Sequence, residues 1–292
     1  MQKILLFVNP RASQAEAPAA KIPGLLRELG CEVIEAAARS PEDYPKLILR
    51  HRQEVNVVCV AGGDGSLQCA APTLAETKHP LGILPLGTAN NVARSLGVPL
   101  DLRAACEVVA RGQVRDMDLA RVNGRIFLSV VGMGFSTLVH DEVPDERKRR
   151  WGSLSYALQA FHLLRRRPPS FRAQITSDEH SLRVRALQIT VCNGRFYGGH
   201  VQIHPDATLD DATLDLSVIE ADSFLRGFVK ALLPYRAGPK EAGLKLLRST
   251  KFRIQTHPAI KIDVEGATDL STPADFEVTP AAMKVMVPRS AD

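Results

Sequence analysis

Three glycines and a single carboxylate lie between an apolar run and a helical pattern in Val60-Ala61-Gly62-Gly63-Asp64-Gly65-Ser66-Leu67. That combination suits a polyphosphate. Glycines let main-chain amides approach phosphate oxygens, a helix N-terminus adds partial positive charge, and Asp64 could hold a magnesium ion. Ser66 sits where an N-cap is wanted, which gives its hydroxyl a structural reading too. Glycine motifs of this length also make plain strand-to-helix turns, so the segment alone leaves both readings open. A second loop, Pro85-Leu86-Gly87-Thr88-Ala89-Asn90-Asn91, follows the apolar run Leu81-Gly82-Ile83-Leu84, and a third turn begins at Asn9-Pro10. All three leave the carboxyl ends of apolar runs. In a parallel sheet those ends share one edge, where open α/β sheets bind ligands, so the three loops read as one phosphate-binding crevice.

Two other clusters carry charge. Residues 205–215 hold Asp206, Asp210, Asp211 and Asp215, a hard-oxygen array suited to magnesium or a merely solvated acidic turn. Arg147-Lys148-Arg149-Arg150 and Arg165-Arg166-Arg167 bracket an amphipathic stretch, 153–166, with Trp151 alongside. This reads either as an interfacial element for an anionic membrane surface or as a solvated face. The eight histidines show no ligand spacing.

The elements that must position these groups change character along the chain. Up to about residue 120, short apolar runs (3–8, 31–35, 55–61, 81–84) alternate with helical patterns (22–29, 44–52, 66–74, 91–96, 102–111). Alternation of this kind predicts an α/β domain with a largely parallel sheet over 1–120. From 121 to 292 the chain reads as many short strands (126–130, 183–192, 214–219, 260–264, 283–287), interrupted by helical islands at 153–166 and 223–235. The second domain is therefore β-rich.

Composition narrows the function classes. With 45% hydrophobic and 24% charged residues over 292 positions, the chain is an ordinary globular sequence, and no apolar run approaches the roughly 18 residues of a spanning helix. The first apolar run is too short for a cleaved leader and reads as a strand. Five scattered cysteines with no C-x-x-C pair suggest neither disulfides nor zinc, so a cytoplasmic setting is expected. A formal charge of +5 favours an anionic partner, while 5% aromatic residues leave little for a base-stacking platform, so no nucleic-acid partner is expected.

Seven ordered segments together resemble the bacterial diacylglycerol kinase-like lipid kinases, relatives of sphingosine and ceramide kinases. They are Asn9-Pro10, Gly62 to Ser66, Pro85 to Arg94, Asn123-Gly124-Arg125 with Gly132-Met133-Gly134-Phe135, Lys148 to Gly152, Asn193 to Gly199, and the acidic segment from Pro205 to Asp215. The resemblance spans nearly the whole chain. It implies an α/β domain similar to phosphofructokinases and NAD kinases, a β-sandwich domain, and a cleft between them for MgATP and a lipid hydroxyl. Carried over, it implies that Gly62, Gly63, Asp64, Gly65, Ser66 and Gln68 bind ATP phosphates and magnesium, that Thr88 contacts the nucleotide, and that Asn9 and Asn90 support the crevice. It also implies a structural metal at Asp211, Thr208 and Thr213, peripheral association with an anionic membrane surface, and leaves a homodimer open.

The chain departs from the family pattern in several places. Ala36-Ala37-Ala38 stands where members often carry a hydroxyl residue, Ala212 replaces a glycine of the acidic turn, Ser136 replaces an Asp, and a glycine is missing after Ser13. The general base of the family is the Glu of an Asp-Gly-Glu triplet. Ungapped placement from Thr272-Pro273 puts Glu265-Gly266-Ala267 on that triplet, with alanine at the base position, whereas a two-residue insertion gives the role to Glu265, with Asp263 and Asp269 nearby. The expected activity is an ATP- and magnesium-dependent lipid kinase. Alternatives are a weakened nucleotide- or lipid-binding regulator, suggested by Ala267, and an NAD kinase, disfavoured by the segment from Pro85 to Arg94.

Overall fold

A computed structural model describes residues 1–9, 19–142, 169–197, 201–202, 206–221 and 244–289. The chain divides into two compact units: Met1–Leu119 with Thr208–Asp211 and Thr279–Asp292, and Ala120–Ala207 with Ala212–Val278. Thus Thr208–Asp211 and Thr279–Asp292, which a simple division after residue 120 places in the second domain, group with the first.

The first unit alternates β1 (Lys3–Val8), α1 (Ile22–Glu28), β2 (Glu32–Ala36), α2 (Asp43–His51), β3 (Val57–Gly62), α3 (Asp64–Thr77), β4 (Leu81–Pro85), α4 (Asn91–Ser95) and α5 (Leu102–Arg111). Strands pair in the order β2-β1-β3-β4, all parallel. Every residue of β3 and β4 is buried, which is why both read as unbroken apolar runs: a central parallel strand is covered on both faces. Gly82 sits under Val109 of α5, where an added Cβ would lie 3.1 Å from both Val109 methyl carbons, so this helix lies close on the sheet. Asp101 caps α5 by accepting the Ala104 N–H at 2.9 Å. The α/β expectation holds. The helix expected from Ser66 begins instead at Asp64, because Gly63 is extended (φ −97°, ψ −178°) and serves as N-cap. Ser66 therefore lies inside the first turn and does not cap it.

The second unit is β-rich, as expected, and mainly antiparallel. Its elements are β5 (Gln113–Val122, entering from the first unit), β6 (Arg125–Phe127), β7 (Val130–Gly134), α6 (Phe135–Glu142), β8 (Phe171–Thr176), β9 (Ser181–Cys192) and the short pair β10 (Phe196–Tyr197) and β11 (Val201–Gln202). Then follow β12 (Leu214–Glu220), β13 (Leu244–Ser249), β14 (Lys251–His257), β15 (Lys261–Val264), β16 (Ala267–Ser271) and β17 (Ala274–Val287). Strand β9 is the hub, pairing with β7, β8 and β12. Phe127, Phe171, Ile189, Val191, Leu216, Phe252 and Phe276 belong to one buried core. Along β8, β14 and the start of β17 buried and exposed residues alternate, the period-two signature of a sheet with one wet face.

Strand β17 begins antiparallel to β14 and ends parallel to β4, with Val285 opposite Leu81. Its later part is tied into the first unit by the Ala281 N–H, which donates to Asp118 Oδ1 at 2.8 Å, and by Lys78 Nζ, which donates to Ala282 O at 3.0 Å. No described helix is long and apolar enough to cross a membrane. The basic clusters, Trp151 and both helical islands lie outside the described residues.

Candidate functional site

In the first unit Asn9, at the end of β1, and the two glycine loops after β3 and β4 meet at the carboxyl edge of the sheet. The Asn9 N–H donates to Ala61 O at 2.9 Å, and Asn9 Nδ2 donates to Ser66 Oγ at 2.8 Å, so the end of β1 is fixed to the first turn of α3. The Tyr44 ring is stacked on Phe7 with centroids 4.7 Å apart, and its hydroxyl hydrogen-bonds the Ser66 side chain. Ser66 Oγ is thus held from two elements. Gly62 makes room for it: an added Cβ would lie 2.6 Å from Ser66 Oγ.

The two glycine loops touch through their backbones. An added Cβ on Gly87 would lie 2.5 Å from the Gly63 Cα, and one on Gly63 would lie 3.1 Å from the Gly87 Cα. Gly65, by contrast, has open space around it. Asn90 is in the left-handed region (φ 51°), its Oδ1 accepts the Gly87 N–H at 3.0 Å, and its Nδ2 donates to Gly87 O at 2.8 Å. It closes its own loop. Asp64 joins the loops: Oδ2 accepts the Asn91 N–H at 3.0 Å and Oδ1 accepts the Val92 N–H at 3.1 Å, so a carboxylate at the start of α3 caps α4. Burial pushes the Asp64 carboxyl above its ordinary range, against the lowering by those two amides and by the Arg94 charge. Thr88 is exposed at the tip of its loop and Gln68 half-buried on α3.

Asp64 fits a magnesium ion under one condition. Each carboxylate oxygen keeps a lone pair beyond the amide it accepts from. No group of three or more His, Cys, Asp or Glu that could hold a metal occurs among the described residues. One carboxylate suits magnesium that arrives on phosphate oxygens, the usual mode for this ion, and not one gripped by protein alone.

In the second unit the hairpin β15–β16 turns through Glu265 and Gly266, with φ of +51° and +99°, as a two-residue type I′ turn requires. Val264 and Ala267 are the closing pair, so Ala267 is a strand residue. Glu265 Oε1 accepts the Leu128 N–H at 3.0 Å and the Ser129 N–H at 2.6 Å. Buried Asn193 braces that segment: its N–H donates to Ser129 O at 2.9 Å and its Nδ2 to Leu128 O at 3.3 Å. Asp263 accepts the Gly266 N–H at 2.7 Å within the turn. Asp269 is paired with Arg125 at 2.6 Å, and the Arg125 hydrogen bond holds its carboxyl below the ordinary range. Of the three carboxylates, Glu265 is the one drawn onto the Leu128–Ser129 backbone.

In the acidic turn, Asp211 Oδ2 accepts the Thr208 N–H at 3.1 Å, and Asp210 lies 3.6 Å from Arg115. Ala212 has φ +57°, the left-handed conformation that glycine adopts without cost, so the turn keeps its shape with alanine in place. Thr213 follows immediately before β12. The sequence reading missed the capping of α4 by Asp64, the hydroxyl of Tyr44, the close approach of Gly87 and the Leu128–Ser129 amides. Only Gly87 had a local signal, a lone glycine after a buried strand.

Comparison with known proteins shows the family. A family profile described as "Diacylglycerol kinase catalytic domain" matches residues 3–122, and one described as "YegS C-terminal NAD kinase beta sandwich-like domain" matches 129–287. The chain is 29% identical to "Lipid kinase YegS" of Escherichia coli (strain K12) over 290 residues, 97% of this chain and 95% of that protein. It is 31% identical over 303 residues to "Diacylglycerol kinase" of Mycobacterium tuberculosis (strain CDC 1551 / Oshkosh), covering 98% of this chain and 96% of that protein. Two solved chains from Bacillus anthracis str. Sterne are described as diacylglycerol kinases, the first provisionally. They share the fold at TM-scores of 0.83 and 0.76, with 25% and 23% identity, over 98% of this chain and 95% and 97% of theirs.

Proposed function

This chain belongs to the lipid kinases built from a diacylglycerol kinase catalytic domain and a β sandwich-like domain, and from that premise we propose the reaction it performs. It transfers the γ-phosphoryl group of ATP to a hydroxyl of diacylglycerol or a lipid of similar shape. The observation that carries this reading is the contact of the Gly63 and Gly87 backbones, fastened by Asp64 across to the Asn91 and Val92 amides. Such an edge offers a phosphate main-chain N–H groups, little side-chain bulk and the N-terminus of α3.

Phosphoryl transfer asks little covalent chemistry of a protein, so positioning and charge are what the residues must supply. Amides of Gly62 to Gly65 orient the phosphates, while the Ser66 N–H is spent on Gly63 O at 2.9 Å. Asn9 and Tyr44 hold Ser66 back so that its side chain does not occupy their place. Asn90 keeps the second loop shaped and Thr88 stands at its tip for the nucleotide. Magnesium, held by Asp64 when it arrives with ATP, would neutralise charge on the phosphates. Glu265 serves as the base: it takes the proton of the acceptor hydroxyl, the role in which Ala267 has no group to act. The structural metal at Asp211, Thr208 and Thr213 remains part of this proposal, with main-chain oxygens completing what one carboxylate begins.

The test is transfer of label from γ-labelled ATP to a panel of purified lipids in detergent micelles. Magnesium-dependent labelling of diacylglycerol or a related mono-hydroxyl lipid is expected. Nucleotide binding with no labelled lipid from the panel would turn the assignment to a regulator.

A further inference from the structure

The wet face of the β9-β8-β14-β17 sheet has an uneven charge. Registers place Arg185 directly opposite Arg172, and Arg172 directly opposite His257, so three basic or titratable side chains form one row across three strands. The next row, about 7 Å along the strands, runs Arg183, Gln174, Gln255. Arg172, Arg183, Arg185, Gln255 and His257 are all exposed. Directly opposed residues project from the same face, so these groups share one surface.

At the other end of the same face charge is balanced. Arg253 pairs with Asp275 at 3.1 Å, Lys251 stands opposite Glu277, and Asp178 accepts from Thr250 Oγ1. At the arginine end, Arg172, Arg183 and Arg185 make no ion pair with a carboxylate among the described side chains. Arg185 is instead oriented by a neutral group, its Nε donating to Ser170 Oγ at 2.8 Å. Like charges directly opposite one another across a ladder are destabilising, and an anion would remove that repulsion.

We infer that the arginine end of this sheet face, Arg172, Arg183 and Arg185 with His257 beside them, docks on the phosphate headgroups of an anionic lipid leaflet. Guanidinium groups match phosphate geometry. They are spread over an open sheet face and do not converge in a cleft, which suits many headgroups better than one small ligand. The phenylalanines of these strands, Phe171, Phe252 and Phe276, are buried on the opposite face and present no ring to stack on nucleic-acid bases. The choice of a bilayer as occupant rests on the proposed lipid substrate.

Cosedimentation with phosphatidylcholine vesicles, plain or containing about 30% phosphatidylglycerol, tests the assignment. The protein should bind the anionic vesicles and not the neutral ones. Replacing Arg172, Arg183 and Arg185 by Gln should lower that partition about 10- to 100-fold, and replacing them by Lys should keep most of it. A control with Lys46, Arg50 and Arg111 changed to Gln loses the same charge from exposed positions elsewhere and should shift binding by less than about threefold. Equal loss in the control, or none in the arginine variant, overturns the proposal. So does binding of an oligonucleotide through these arginines without vesicle binding. Lipid labelling in micelles is measured in parallel: an inactive protein that still binds anionic vesicles through these arginines defeats the kinase reading and leaves the docking face standing.

Discussion

Asp64 Oδ1 lies 3.1 Å from the Val92 amide nitrogen, so the carboxylate that opens one helix caps another 28 residues further along. The relationship gives Asp64 two tasks that mutation can separate. As an acceptor it binds the loop after β4 to the loop after β3. As an anion it is, in the proposed reaction, the charge offered to a metal on the incoming phosphates.

Asp64→Asn keeps one amide oxygen for the cap and removes the charge. Stability should fall by about 1 kcal/mol, the scale of a lost N-cap or helix-dipole interaction, while magnesium-dependent lipid labelling should drop to background. Urea unfolding and the micelle assay measure the two effects on the same sample. Wild-type turnover in the variant would remove Asp64 from the chemistry and leave it a cap.

Gly87→Ala inserts a methyl group where the Gly63 Cα stands 2.5 Å away and Asn90 Oδ1 2.9 Å away. One loop must move. Overpacking at such a site costs about 1–3 kcal/mol, and the displaced amides should weaken ATP binding more than they slow turnover of bound ATP. Gly65→Ala, with open space at that position, is the matched control. Equal effects from both would show that the contact of the loops is not what matters.

Glu265→Gln retains an oxygen for the Leu128 and Ser129 amides but cannot accept a proton. Lipid turnover should fall by about 10² to 10⁴ with little change in KM for ATP, the range of a positioned general base. Ala267→Glu should give no gain, because that residue pairs with Val264 in the strand. The opposite pattern, rescue at 267 and silence at 265, would make this protein a weakened member of its family.

Asp43 links the fold to pH. Its Oδ2 accepts the Arg39 and Ser40 N–H groups at 2.8 and 3.0 Å, and these bonds hold the carboxyl below its ordinary range. A carboxylate with a lowered folded-state pKa contributes stability above the unfolded value of about 3.9 and loses it as pH falls through the folded value. Asp43→Ala should therefore melt below wild type at neutral pH, and the two curves should converge in strong acid. Thermal melts of both proteins over a pH series decide it, and a gap that persists below the carboxylate range would point to a packing defect around Tyr44.

Much of the fold was legible because its signals are local. The run from Val57 to Ala61 is buried on both faces, and glycines follow it directly. What escaped depends on distance or on one backbone angle. Serine is a favoured cap, yet the extended Gly63 starts the helix two residues before the position assumed for it. The partner of Asp64 lies in another loop, which no local window contains. Ungapped placement of the base could not see that Glu265 and Gly266 form a two-residue turn, although a residue followed by glycine between apolar strands is a hairpin signal. Only 283–287 of β17 read as strand, since Pro280 looks like a breaker and Ala281 adopts φ +47°.

The return of β17 to β4 has a consequence for the order in which the protein is made. A ribosome releases the glycine loops early, but the strand that covers the open edge of β4 follows some 190 residues later, at about the pace of 5–20 residues per second. Through that interval the nascent chain carries the edge with the two glycine loops on an unfinished sheet. A polypeptide interrupted before Val285 would lack the pairing that closes it, so premature termination is expected to yield a protease-sensitive fragment and not a free-running half-enzyme.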